Sequence, residues 1–179
     1  MTRMSTRLTT QIELVDSGAI HYNPDRTFFF IGGGLNDAVL PTATTVSNLT
    51  NEIYTIYRAG ARFFLLALLP IRITEYTAVG TRLDPAIRKI LVDLHRSMLD
   101  AHLGLSHWGA YVDNTIENPA HFGISDTTDR CAGNSLFGEY PTSCSDPDAH
   151  FFYCDGHPTT AVHCIVAQEL KREVAEQFP

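Results

Sequence analysis

The sequence predicts an α/β protein in which a parallel sheet is sandwiched between helices in three layers, and three observations lead there. Phe28-Phe29-Phe30-Ile31 and the run from Arg62 to Leu69 are apolar without alternation, as strands covered on both faces are. Between and after them lie segments whose apolar residues recur at helical spacing. Such a strand and helix rhythm builds βαβ units, and hence a parallel sheet flanked by helices.

Taken in order, Leu8, Ile12, Leu14 and Val15 form a loosely amphipathic helix that stops near Gly18, and a loop from Ala19 to Arg26 leads into the Phe strand. Pro41 to Ser47 reads as a polar loop. Val46, Leu49, Ile53, Ile56 and Tyr57 then mark a core-facing helix that ends at Gly60. Pro70 stops the second strand. Asp84-Pro85 reads as a cap with proline at the first helical position, opening a helix with Ile87, Ile90, Leu91, Leu94, Met98 and Leu99 on one face and Gly104 at its end. Trp108 to Val112 reads as a third strand with Asp113 just beyond it, and Asn114 to Pro147 as mostly loop. His150 to Tyr153 is a last strand, Asp155 to Pro158 a turn, and Thr159 the cap of a closing helix carrying Val162, Ile165, Val166 and Leu170.

The whole chain bounds its function. At 179 residues it is read as one domain, 1–179, with an ordinary apolar share of 44%. The formal net charge is −7 and the 13 Lys and Arg are scattered singly, so no basic face is offered to nucleic acid. The apolar run from Phe63 to Leu69 is far shorter than the ~20 residues of a membrane helix. All four cysteines fall between Cys131 and Cys164 with spacing that suits disulfides better than zinc, which points to an oxidising, extracellular setting. Asn48-Leu49-Thr50 is a three-residue glycosylation signal that only secretion would use. Met1 to Thr10 contains no apolar core of a secretory signal.

Two stretches carry chemistry. Gly32-Gly33-Gly34 strips the side chains from the end of the Phe strand, where open parallel sheets bind ligands, and Asn36-Asp37 follow at once. Asn36 can aim an amide N–H at a developing oxyanion, with Asp37 capping the next turn; the alternative is an ordinary glycine turn. In Cys154-Asp155-Gly156-His157-Pro158 a carboxylate and an imidazole share one tight loop, the pairing a Ser-His-Asp arrangement uses, and the alternative is a turn before a helix. His150 with Asp146 and Asp148 suggests a metal, although Asp-Pro-Asp is more simply a turn. Cys131 and Cys144, in one loop with turn residues between them, are expected to form a disulfide, and Cys154 and Cys164 are a second pair.

In their order these stretches resemble the GDSL lipases and acylhydrolases, also called SGNH hydrolases, over nearly the whole chain. Gly34-Leu35-Asn36-Asp37 is similar to the family's Gly-x-Asn-Asp block, and Arg58 to Leu65 with Leu69-Pro70 to its helix-to-strand passage. Tyr111-Val112-Asp113 and Asn118 to Gly123 resemble the next strand and loop; Cys131, Cys144 to Asp148 and Asp155 to Ala161 resemble the C-terminal block. The resemblance implies a flavodoxin-like sandwich and a secreted carboxylic ester hydrolase that needs no cofactor or metal. Its substrate would be a lipid or acetylated-carbohydrate ester. It implies His157 as general base, Asp155 as its orienting partner, and Asn36 with Gly34 in the oxyanion hole. Two departures stand out: a single residue, Gly156, separates Asp155 from His157 where the family has two, and no Gly-Asp-Ser block occurs. The chain is therefore read as a C-terminal portion whose N-terminal strands and nucleophile are missing, with a non-catalytic binding module as the alternative. Ser17 ends a helix and lacks the strand-to-helix turn that exposes a nucleophile. Asn36, Asp155 and His157 are expected to converge, both loops leaving carboxyl ends of strands.

Overall fold

The computed structural model describes residues 12–132 and 143–178, and the chain divides into two compact units, Met1–Leu69 with Ala78–Ser106, and Pro70–Thr77 with His107–Pro179. Both are mixed α/β structures.

In the first unit residues 12–16 are helical, and a 3₁₀ turn at Pro24–Arg26, closed by the Asn23 side chain accepting from the Asp25 N–H, leads into β1 (Phe28–Ile31). Helix α1 (Thr42–Arg58) follows, then β2 (Phe63–Ala67), α2 (Thr74–Ser97) and β3 (His102–Ser106). The strands form one parallel sheet in the order β1-β2-β3, with Phe28 beside Phe63 and Phe63 beside His102. Phe64, Leu65, Leu66 and Ala67 are buried, as the central place of β2 requires. Ile53 and Ile56 from α1 and Leu83, Ile87, Ile90 and Leu94 from α2 complete the core.

β1 departs from the expectation of a strand covered on both faces. It lies at the sheet edge, and Phe28 and Phe30 are 42% and 39% exposed. Phe29 points to the opposite face, packed against Tyr22 and Phe64. Three boundaries also differ. The stretch expected as a polar loop is already helix from Thr42, because the Pro41 carbonyl accepts from Thr44 N and Thr45 N and the buried Thr45 hydroxyl is held by Asp37. Asp84-Pro85 opens no helix: α2 begins at Thr74 and runs through Pro85, its apolar stripe of Val79, Leu83, Ile87, Ile90 and Leu94 unbroken by the proline. Asp84 instead accepts from the Leu69 backbone N–H at 2.9 Å. Gly104 is not a helix end but the middle of β3, opposite Leu65.

In the second unit Trp108 to Val112 is helix rather than strand, the first part of α3 (Trp108–Glu117). A 3₁₀ turn at Pro119–Phe122 and Gly123 at φ 75 lead to β4 (Asp126–Arg130), a strand inside the stretch expected to be loop. β4 runs parallel to β5 (His150–Cys154), which turns back antiparallel into β6 (His157–Pro158). Helix α4 (Thr160–Gln177) closes the chain, capped by Thr159, whose hydroxyl accepts from Val162 N as the sequence predicts. Ile73, Val112, Ile124, Phe151, Val162 and Val166 form the core of this unit, with Trp108, Tyr111 and Ile165 packed against it. The Cys131–Cys144 disulfide is present, and Cys144 N donates to the Cys131 carbonyl beside it. The expected second pair does not form: Cys154 is a buried free thiol and Cys164 an exposed one. No helix among the described residues is long and apolar enough to cross a membrane.

Candidate functional site

The candidate residues fall in both units, Asn36 and Gly34 in the first and Asp155 and His157 in the second. Each set is built within its own unit.

The glycine loop leaves β1 at Ile31. Gly34 is buried at φ +108, and a Cβ there would meet Leu83 Cδ1 at 2.7 Å, so the chain can pass only without a side chain. Asp37 N donates to the Gly34 carbonyl at 2.9 Å and Leu40 N to the Asp37 carbonyl at 3.0 Å, two successive turns. Asp37, expected to cap this loop, does so from the inside: it is buried, and its carboxylate accepts from the Thr45 hydroxyl at 2.8 Å. Arg82, which no sequence signal singled out, completes the anchoring from α2. Its guanidinium donates to the Asp37 and Leu40 carbonyls at 2.9 and 3.0 Å and to the Thr42 hydroxyl at 2.9 Å. With its backbone held on both sides, the loop carries Asn36 exposed on its turn.

The second set sits on the hairpin from β5 to β6. Cys154 pairs with His157, and Asp155-Gly156 make the turn, Gly156 at φ +63. The Tyr76 ring lies against Gly156 so closely that an added Cβ would be 3.0 Å from its Oη. Burial raises the Tyr76 phenol above its ordinary pKa, with the Glu75 and Cys154 charges adding to the effect. Burial and then Asp155 likewise push the Cys154 thiol up, which keeps it protonated and a poor nucleophile.

Asp155 and His157 are brought together, but through the backbone. His157 Nδ1 contacts the main-chain carbonyl of Asp155. A carbonyl only accepts, so this contact requires the ring proton on Nδ1 and leaves the Nε2 lone pair available as a base. The Asp155 carboxylate instead makes an ion pair with Arg130 Nη2 from the end of β4, which also lies 3.7 Å from Glu75. Arg130 is the second residue that sequence reasoning missed, since only the pairing of β4 with β5 brings it to the turn.

The remaining candidates take structural positions. Ser17 is exposed in a turn after the helical residues, its hydroxyl donating to the Leu14 carbonyl at 3.4 Å. Asn48 of the glycosylation signal lies within α1, beside buried Leu49. Asp113, expected just past a strand, is inside α3, where its buried carboxylate accepts from Ile71 N and Arg72 N. Burial raises its pKa, against the lowering effect of those two N–H groups. His150 Nδ1 faces Asp126 at 3.7 Å, and among the described residues no group of three or more His, Cys, Asp or Glu is placed to hold a metal. Compared with protein-family models and with curated proteins, the sequence finds no match in either.

Proposed function

We propose that this chain supplies the general base and the oxyanion donors of a carboxylic ester hydrolase of the SGNH type. The observation that carries the reading is the His157 ring. It is exposed at a hairpin turn, and a carbonyl on Nδ1 leaves Nε2 to take a proton from a nucleophile. The glycine loop with Asn36 supports the same reading, as does the Cys131–Cys144 disulfide for an oxidising, extracellular compartment. In such a hydrolase a serine attacks the ester carbonyl; the role the resemblance gives His157 is to accept its proton, and the role it gives Asn36 and Gly34 is to hold the oxyanion. His157 then returns the proton to the departing alcohol, and the acyl-enzyme is hydrolysed by water in the reverse sense. The substrates would be lipid or acetylated-carbohydrate esters. No Gly-Asp-Ser occurs in these 179 residues, and on this reading the serine is supplied from outside them.

The second reading, a ligand-binding module without catalysis, is favoured by one observation: the Asp155 carboxylate is engaged by Arg130 and not by His157. The deciding experiment reads the coding sequence ahead of Met1 for a Gly-Asp-Ser block and expresses it joined to this chain. Turnover of a chromogenic short-chain ester and labelling by a serine-directed fluorophosphonate are then measured. The hydrolase reading expects His157→Ala to abolish turnover and Asn36→Ala to lower kcat by about 10²–10³. Turnover indifferent to His157→Ala refutes His157 as the base, and a joined protein without turnover or serine labelling leaves the binding module.

A further inference from the structure

On the ester-hydrolase reading we infer that Arg130 is a positioning residue for His157: it holds the Asp155 carboxylate off the imidazole, so that the Asp155 main-chain carbonyl, not the carboxylate, orients the ring. The inference starts from the crowding of this turn. With Gly156 alone between them, Asp155 and His157 sit at one tight reversal, where either the carbonyl or the carboxylate of Asp155 is a candidate partner for Nδ1. The carbonyl is in contact with Nδ1, and the carboxylate makes an ion pair with Arg130.

Arg130 is well placed to impose that choice. Residues just beyond it are tied to β5, Cys131 N donating to the Phe152 carbonyl and Ala132 N to the Tyr153 carbonyl at 3.1 and 2.7 Å, and the disulfide fixes Cys131. Its guanidinium also faces Glu75, next to the Tyr76 that packs on Gly156. Each polar group of the turn is thereby directed: guanidinium to carboxylate, imidazole to carbonyl. A carbonyl sets the same tautomer as a carboxylate but brings no negative charge against the ring, so the imidazolium formed during proton transfer is less stabilised. Arg130 thus keeps the ring oriented by a neutral carbonyl rather than by a carboxylate. Without Arg130, the carboxylate is free to turn onto Nδ1 and form the charged pair.

The test uses the 179-residue chain with ¹⁵N-labelled histidine, following the His157 ring titration through its carbon-bound protons. Arg130→Ala is expected to move the midpoint of that titration to higher pH by about 1 unit or more, the usual effect of a carboxylate gained beside a cation. Arg130→Ala combined with Asp155→Asn removes both charges and is expected to return the midpoint to wild type. A crystal structure of Arg130→Ala should show an Asp155 carboxylate oxygen within hydrogen-bond reach of Nδ1. Arg130→Gln, equally uncharged but able to hydrogen-bond, carries the same expectation where the alanine variant does not fold. A midpoint unmoved in the neutral variants, a rise that persists with Asp155→Asn, or a carboxylate still off the ring overturns the inference. None of these measurements needs an ester, so an inactive joined protein sinks the hydrolase reading alone, and an unmoved titration sinks this inference alone.

Discussion

Gly34→Ala tests whether the glycine loop is held by packing, and the structure sets the size of the effect. An L-residue at φ +108 is strained by about 1–3 kcal/mol. The new methyl would also lie 2.7 Å from Leu83 Cδ1, and Leu83 is 1% exposed, so it has no open space to move into. Overpacking of that kind costs about 1–3 kcal/mol. Together these give a loss of about 2–6 kcal/mol. Leu83→Ala separates the two contributions. Alone it opens a cavity and costs about 2–5 kcal/mol. Combined with Gly34→Ala it removes the clash and leaves the backbone strain, so the double variant should be more stable than additivity predicts by about 1–3 kcal/mol. Guanidinium unfolding of wild type and the three variants, followed by far-ultraviolet circular dichroism with unchanged m values, measures this coupling. A coupling below about 0.5 kcal/mol would refute the argument, because two residues that do not meet are additive to that extent.

Four further outcomes follow from other parts of the fold. Glu173 is buried on α4 and accepts from His107 N, His107 Nδ1 and the Tyr111 hydroxyl at 2.7, 2.9 and 3.2 Å; Glu173→Ala should cost about 1–3 kcal/mol in guanidinium unfolding, and Glu173→Gln, which keeps an acceptor, less. Burial first, then the Glu173 charge, pushes the Tyr111 phenol from its ordinary 10.0 up to about 12, so the folded state holds that proton more tightly than the unfolded chain. Its contribution is therefore full below pH 10 and is lost as pH rises toward about 12, and an ultraviolet phenolate titration should move down in Glu173→Ala. The exposed Phe28 and Phe30 on the edge strand make a template for strand pairing, so Phe28→Lys with Phe30→Lys should shift sedimentation velocity profiles toward the monomer; an unchanged distribution would count against an edge-driven association. Replacing Cys131 and Cys144, 13 residues apart, by alanine should lower stability by about 3 kcal/mol, read as an earlier unfolding midpoint.

Elements whose cause is local were legible from the sequence. The Phe strand and the Phe63–Ala67 strand follow from uninterrupted apolar runs, the interior of α1 from its period, and the start of α4 from a threonine that caps a helix with its own side chain. The Cys131–Cys144 bridge and the start of the turn at Asp155-Gly156 were also readable, because short loops and turn residues act over a few positions, whereas His157–Pro158, expected within that turn, is strand β6. Elsewhere a local signal is overruled from a distance. Asp84-Pro85 has the form of a cap, yet Asp84 is taken by the Leu69 N–H and an apolar stripe on either side of the proline carries the helix through it. Gly104 has the form of a stop, yet β2 beside it supplies a ladder into which it fits. The composition around Phe28 and Phe30 is that of a buried central strand, but position in a sheet depends on which strands pair and not on the strand's own residues.

The candidate site divides in the same way. The sequence by itself determined which groups stand at the two loops: a side-chain-free strand end with Asn36, and an imidazole one residue from a carboxylate. The tertiary structure alone decided how they are held. Arg82 reaches the glycine loop from a helix more than forty positions along the chain, and Arg130 reaches Asp155 through a strand pairing with no local signature. A residue's identity sets what it can bond, but its partner is whichever group the folded chain brings within about 3 Å, and that depends on contacts distant in sequence.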